Sequence, residues 1–85
     1  MSWQVYVLGS ERAPRTYVGI ALDVDERLEQ HNGARPGGAK ATRAGRPWRV
    51  LRTYGPFADR SEAQSVEASV KRLRGPERLR WTAQA

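Results

Sequence analysis

Hydrophobic and polar positions alternate along "WQVYVL" (Trp3–Leu8) and again along "RTYVGIA" (Arg15–Ala21), separated by the polar, Gly- and Pro-containing "GSERAPR". Two period-2 runs around a short connection predict an antiparallel hairpin, with Val5 and Val7 on one face and Tyr6 and Leu8 on the other. The period then changes. "DVDERLEQHN" offers Asp23 as an N-cap, Glu26 three residues on, and Val24 and Leu28 as an apolar stripe that ends near "NGARPGG". "ARPGGAKATRAGRP" has no apolar period and reads as a mobile basic loop holding at most a turn of helix. "WRVLRTY" resumes alternation, with Trp48, Val50 and Arg52 on one side and Arg49, Leu51 and Thr53 on the other, until "GPF" interrupts it. "DRSEAQSVEASVKRLRG" predicts a second helix. Ser61 and Gln64 stand at capping-box spacing, Ala63, Val66, Val70 and Leu73 share one face, and Gly75 closes it. Pro76 in "PERLRWTAQA" suits the start of a short terminal helix. The expected fold is α+β, a small three-stranded antiparallel sheet flanked by helices in the order β-β-α-β-α-α. It forms one domain over residues 1–85, with a core of about 3–74 and a helical tail at 75–85.

Composition narrows the class. There is no cysteine among 85 residues, so neither a disulfide nor a thiolate zinc site is expected to brace so small a core. No apolar run approaches the length of a membrane span and the first residues lack a signal-peptide pattern, so the chain reads as soluble, unexported and cytoplasmic, with association with the nucleoid left open. The net charge is +6, and its distribution is uneven. From Gln30 to Ala58 there are six basic residues (Arg35, Lys40, Arg43, Arg46, Arg49 and Arg52) and no acidic ones, while the rest of the chain balances nine against nine. An excess of positive charge confined to one segment is the footprint expected for a phosphate backbone. A genomic preference for arginine would explain thirteen arginines against two lysines. It would not explain where acids are missing.

Both helices carry ionisable residues on their apolar faces. Arg27 and the only histidine, His31, fall on the stripe of Val24 and Leu28, and Glu67 lies among Ala63, Val66 and Val70. The structural alternative is an Arg27–Glu67 ion pair, or an arginine whose stem packs while its head reaches water. Tyr6 and Tyr17 on the hairpin could share one concave surface with these three groups beside the basic loop. Such residue types suit phosphodiester cleavage. A carboxylate holds a hard divalent metal, an arginine offsets charge growing on phosphate oxygens, and a tyrosine or histidine takes a proton from the attacking water. One well-placed carboxylate argues against a two-metal site, and one histidine excludes a helical His-x-x-x-His zinc pair.

"VYVL" (Val5–Leu8), "YVG" (Tyr17–Gly19), "DVDERLEQHN" (Asp23–Asn32), "GGAKATRAGRPWRVLRTY" (Gly37–Tyr54) and "SEAQSVEASVKRL" (Ser61–Leu73) together resemble the GIY-YIG nuclease domain, in its small single-domain form. The resemblance spans roughly residues 3–74. It implies that Tyr6 activates the water nucleophile, that Tyr17 stands at the same site and that Gly19 permits close backbone approach there. Arg27 is implied as the catalytic arginine, His31 as a phosphate-binding or protonating group, and Glu67 as the single ligand of Mg²⁺ or Mn²⁺. Departures are Gln4-Val5 in place of Gly-Ile, Ala21 after the second motif, and Ala41 where an aromatic is frequent. The implied activity is a divalent-metal-dependent, single-metal endonuclease acting on DNA, structure-selective and used in repair or processing. Arg35, Lys40, Arg43, Arg46 and Arg49 would contact the nucleic acid. RNA stays open as a substrate, and a protein partner could supply specificity. Two other readings compete: a non-catalytic nucleic-acid-binding module using the basic loop 35–52, and an interaction domain whose "RLRGPERLRW" tail binds an acidic partner.

Overall fold

The computed structural model describes residues 2–83. Three strands, β1 (Trp3–Ser10), β2 (Thr16–Ala21) and β3 (Trp48–Phe57), form one antiparallel sheet in the order β2-β1-β3. Helices α1 (Val24–His31) and α2 (Arg60–Arg72) join them, with 3-10 turns at Lys40–Thr42 and Gly75–Leu79. The α+β class, the antiparallel sheet and the order β-β-α-β-α agree with the sequence expectation. The expected terminal helix is a 3-10 turn at Gly75–Leu79, residues 80–83 are not helical, and 84–85 lie outside the described residues. No described helix is long and apolar enough to cross a membrane.

The central strand β1 is apolar on both faces because both are covered. Val5, Val7, Val18, Tyr54 and Val70 make one core, against which Ile20, Phe57, Val66, Leu79 and Trp81 pack. Tyr6, Leu8, Ala21 and Trp48 make the other, closed by Tyr17, Val24, Leu28 and Val50. One cluster therefore belongs to α2 and the other to α1. Each buried valine contributes about 1.5–3 kcal/mol, so a small domain gains by using both sides of its only interior strand.

Local chemistry explains the helix starts. Asp23 caps α1 by accepting from the Glu26 amide at 3.0 Å. Asp59, not Ser61, caps α2, accepting from the Glu62 amide at 2.8 Å. The same three-residue spacing occurs at both places, and aspartate at 59 begins the helix two residues earlier. Gly75 does not close α2, which ends at Arg72 with Leu73 as its cap; Gly75 opens the following 3-10 turn at a φ of +52°.

Strand β3 corrects the expected alternation twice. Pairing slips by one residue between the Val50–Leu8 and Arg52–Val7 partners, leaving Leu51 as the extra residue. Such a bulge moves everything after it to the opposite face. Arg52 thus leaves the side of Trp48 and Val50 and lies beside Tyr54, its guanidinium carbon 4.9 Å from the ring centre. The strand also continues through Gly55-Pro56 to Phe57, because β3 is an edge strand where a residue without an N–H is tolerated.

The tail and basic loop are both tied down. Tyr54 Oη donates to the Arg78 carbonyl at 2.6 Å, and the Arg78 guanidinium bonds Leu73 O, Lys71 O and Thr16 Oγ1. Arg78 is therefore a clasp between the end of α2 and the sheet. In the loop, Trp48 Nε1 donates to Thr42 O at 2.6 Å and Ser10 Oγ donates to Gly45 O at 2.7 Å.

Candidate active site

Tyr6, Tyr17 and His31 meet beside β2. Tyr6 is opposite Gly19 in the β1–β2 register, and its phenol lies across that glycine. A Cβ at position 19 would collide with Tyr6 Oη and stand 2.6 Å from Cζ, so only glycine leaves room for the ring. Tyr6 Oη is 2.7 Å from His31 Nε2. His31 projects from the last turn of α1, and the Tyr17 ring lies 4.9 Å from the His31 ring and 6.5 Å from that of Tyr6. Tyr6 is 2% exposed and His31 0%, whereas Tyr17 is half-buried.

The hydrogen-bond network fixes the protons. Thr42 Oγ1 donates its one proton to the Ala39 carbonyl at 2.7 Å. It must then accept from His31 Nδ1 at 2.9 Å, which places the imidazole proton on Nδ1 and leaves Nε2 as an acceptor. Tyr6 therefore donates to His31. Burial holds the imidazole neutral, lowering its pKa to about 4 with help from the positive charges of Arg27 and Arg46. Burial also pushes the Tyr6 phenol up to about 12, against an opposing pull from Arg27 and with smaller upward pushes from Tyr17 and Glu67. At neutral pH the pair is a phenol and a neutral imidazole.

Arg27 sits beside this pair. Its Nη1 donates to Gln30 Oε1 and to the Gly37 carbonyl, both at 2.7 Å, which ties the guanidinium to its own helix and to the start of the basic loop. The Arg27–Glu67 ion pair considered above does not form. Glu67, on the far helix and about one-fifth exposed, pairs with Lys71 at 3.5 Å. No hydrogen bond joins Glu67 to the other four candidates among the described residues; its link to them is the charge felt by Tyr6.

The basic residues divide. Arg35 folds back onto α1, its Nε 2.8 Å from Glu29 and its Nη1 3.7 Å from Glu26. Arg46 is half-buried and donates from Nε to the His31 carbonyl at 2.6 Å. Lys40, Arg43 and Arg49 are exposed and make no ion pair among the described residues. A cleft of about 640 Å³ opens beside Gly33, Arg35, Gly37, Gly38, Arg43 and Arg46, so the positive charge does border a concave surface.

Two residues that pattern did not single out help to build the site. Thr42 completes the chain of hydrogen bonds from Tyr6. Asn32, the C-cap of α1, uses its carboxamide to pair with both the amide and the carbonyl of Trp48, holding the helix end against β3. A polar residue just after a helix was the only sequence signal for Asn32. For Thr42 there was none, since its partner is eleven residues away.

No group of three or more His, Cys, Asp or Glu side chains that could cage a metal occurs among the described residues. The donor set is Glu67 alone. That fits Mg²⁺ or Mn²⁺, which keep several waters and take one or two carboxylates together with substrate phosphate oxygens. It does not fit a zinc site built from protein ligands.

Residues 2–80 match the family model described as the GIY-YIG catalytic domain. A UPF0213 protein of Xanthomonas axonopodis pv. citri is 35% identical over 79 residues, which are 93% of this chain and 74% of the relative. A UPF0213 protein of Cupriavidus pinatubonensis is 35% identical over 81 residues, 95% of this chain and 86% of the relative. A structure-specific endonuclease subunit SLX1 homolog of Cryptosporidium parvum is 36% identical over 62 residues, 73% of this chain but 15% of that much longer protein.

Proposed function

We propose a function on one premise that these matches establish: the chain belongs to the GIY-YIG family. The reading is a nuclease domain that hydrolyses phosphodiester bonds in DNA, selecting its substrate by structure and serving DNA repair or processing. The observation that carries it is the buried Tyr6–His31 hydrogen bond of 2.7 Å, flanked by Arg27 and Arg46 next to the cleft that Arg43 lines. A single-metal mechanism accommodates the donor set. The structure-specific endonuclease named among the relatives supports structure selectivity.

In this mechanism Tyr6 has its proton engaged by His31 Nε2, so the lone pairs of its oxygen accept a hydrogen bond from water and orient it for in-line attack. The high phenol pKa makes Tyr6 an orienting acceptor rather than a standing phenolate. As charge builds in the transition state, the water's proton moves to Tyr6 Oη while the phenol's own proton moves to His31 Nε2. Arg27, held beside Tyr6 by its bonds to Gln30 and Gly37, offsets charge on the non-bridging oxygens. Tyr17 packs the imidazole and borders the entry. Glu67 would hold Mg²⁺ or Mn²⁺, whose chemistry is to neutralise the phosphate and the leaving oxygen. Lys40 and Arg43 hold the flanking phosphates; Arg49, paired with Gly9 on the face opposite Trp48 and Val50, lines a groove with Ser10, Arg15 and Pro76 and lies away from this site.

One observation favours a second reading, binding of nucleic acid without turnover: Tyr6 and His31 are closed to solvent in the free protein. The test separates them. Purified protein is incubated with labelled duplex, branched and single-stranded DNA and with RNA, in Mg²⁺, Mn²⁺ or EDTA. Metal-dependent nicking that is lost in Glu67→Ala and Arg27→Ala, with folding retained, supports the nuclease. Salt-sensitive binding without nicking under every condition supports the second reading, and full activity in Glu67→Ala removes the metal ligand.

A further inference from the structure

Thr42 makes two kinds of contact, and they separate cleanly. Its backbone is used by the fold: the amide donates to Ala39 O at 3.1 Å and the carbonyl accepts from Trp48 Nε1 at 2.6 Å. Its hydroxyl is used by the site, since it is the partner of His31 Nδ1 and is fully buried with it. The backbone bonds would persist with any side chain of similar shape. The hydroxyl bond would not.

A neutral histidine carries one ring proton, and the hydrogen bond at one nitrogen decides which nitrogen has it. Free imidazole side chains favour the Nε2–H form. Were His31 to adopt that form, Nε2–H would donate to Tyr6 Oη, and the phenol proton would turn outward to the side where a phosphate or water must approach. The groups facing the ring are Tyr6 from β1, Tyr17 from β2, Arg27 on its own helix and Arg46 from the loop. None of these offers Nδ1 an acceptor. Among the described residues the one acceptor at Nδ1 is Thr42 Oγ1, and its own proton is committed to the Ala39 carbonyl at 2.7 Å.

We infer that Thr42 is a positioning residue: its hydroxyl holds His31 in the Nδ1–H form, which turns the Tyr6 proton inward and leaves the Tyr6 oxygen open as an acceptor. The orientation of a group two hydrogen bonds away is thus set by a threonine in the basic loop. The catalytic consequence rests on the nuclease reading above; the tautomer itself does not.

The experiment exploits the fact that the chain has one histidine. A long-range ¹⁵N–¹H correlation spectrum at neutral pH therefore reports the His31 ring nitrogens alone. Wild type and Thr42→Ser are expected to show a protonated Nδ1 and an unprotonated Nε2. Thr42→Val, which keeps the shape, and Thr42→Cys, which substitutes a poor acceptor, are expected to shift the proton wholly or partly to Nε2. Should the valine variant lose its dispersed amide spectrum, the cysteine variant carries the comparison. A wild-type ring protonated on Nε2 would overturn the inference, as would Val and Cys variants that keep the wild-type tautomer. On the nuclease reading, the variants that lose the tautomer also lose turnover on the order of 10–100-fold, with KM within about twofold and recovery in Thr42→Ser. Wild-type kcat in a variant with the shifted tautomer would overturn the catalytic consequence. Absence of nicking in every protein, wild type included, would count against the nuclease reading while the spectra still decide the role of Thr42.

Discussion

On the α2 side of the sheet, Val5, Val7, Val18, Tyr54 and Val70 meet mainly through hydrocarbon, whereas the α1 side buries a chain of hydrogen bonds from Tyr6 through His31 and Thr42 to Ala39. Alternate residues of one strand supply both, so neighbours in sequence answer to different requirements. An apolar face tolerates any filling of the right volume. A buried polar face needs every partner in place, because a single unmade bond costs about 1–3 kcal/mol. No buried side-chain nitrogen or oxygen among the described residues lacks a partner, which is what lets the α1 side be both polar and closed.

The comparison is sharpest in a pair of substitutions on adjacent residues. Tyr6→Phe should reduce nicking about 10²–10⁴-fold with the fold retained. Val7→Ala should leave activity per folded molecule within about twofold while lowering stability by about 2 kcal/mol. Nicking assays and urea midpoints on both proteins check this, and equal losses of activity in the two variants would erase the division between the faces.

Acidity should break one face before the other. His31 has its folded pKa lowered from 6.5 to about 4, so the unfolded chain takes up a proton in that window while the native protein does not. Stability contributed by the neutral imidazole is then complete above pH 6.5 and is lost as pH falls towards 4, by roughly 3 kcal/mol. Tyr6 acts at the other end: raised to about 12, it makes stability fall as pH rises through 10 to 12. Urea midpoints measured against pH should show a plateau between, and His31→Gln should flatten the acid limb. An acid limb unchanged in that variant would assign the loss to carboxylates instead.

The smallest effect concerns the basic segment. Arg43 is exposed and makes no ion pair among the described residues, while Arg35 is already held by Glu26 and Glu29. Arg43→Ala should reduce the salt slope of DNA binding by about one unit, and Arg35→Ala should reduce it less. Identical slopes would mean that the Glu26 and Glu29 contacts open when DNA binds.

What could be read from the chain was what depends on near neighbours. The hairpin faces, the Asp23 cap and the apolar stripe of α1 follow from spacings of two to four residues. The bulge at Leu51 could not be read, because it is a property of pairing with Leu8 and Val7 rather than of "WRVLRTY" itself. Arg35 and Arg46 counted as free positive charge for the same reason: their partners on α1 are set by folding. The convergence of Tyr6, Tyr17 and His31 was suggested by their types and is matched by ring distances. Thr42, between Ala41 and Arg43, gave no sign, because its partner His31 is eleven residues away.

Gly19 carries a consequence of a mechanical kind. The phenol it admits belongs to β1, the one strand bonded on both edges, yet its oxygen arrives over the outer strand β2. A rigid ring with two torsions thus acts as a boom, fixed in the stiffest part of the molecule and delivering one atom to its rim. The position of that atom is set by the middle of the sheet, so the basic loop can vary everywhere but at Thr42 without detuning it.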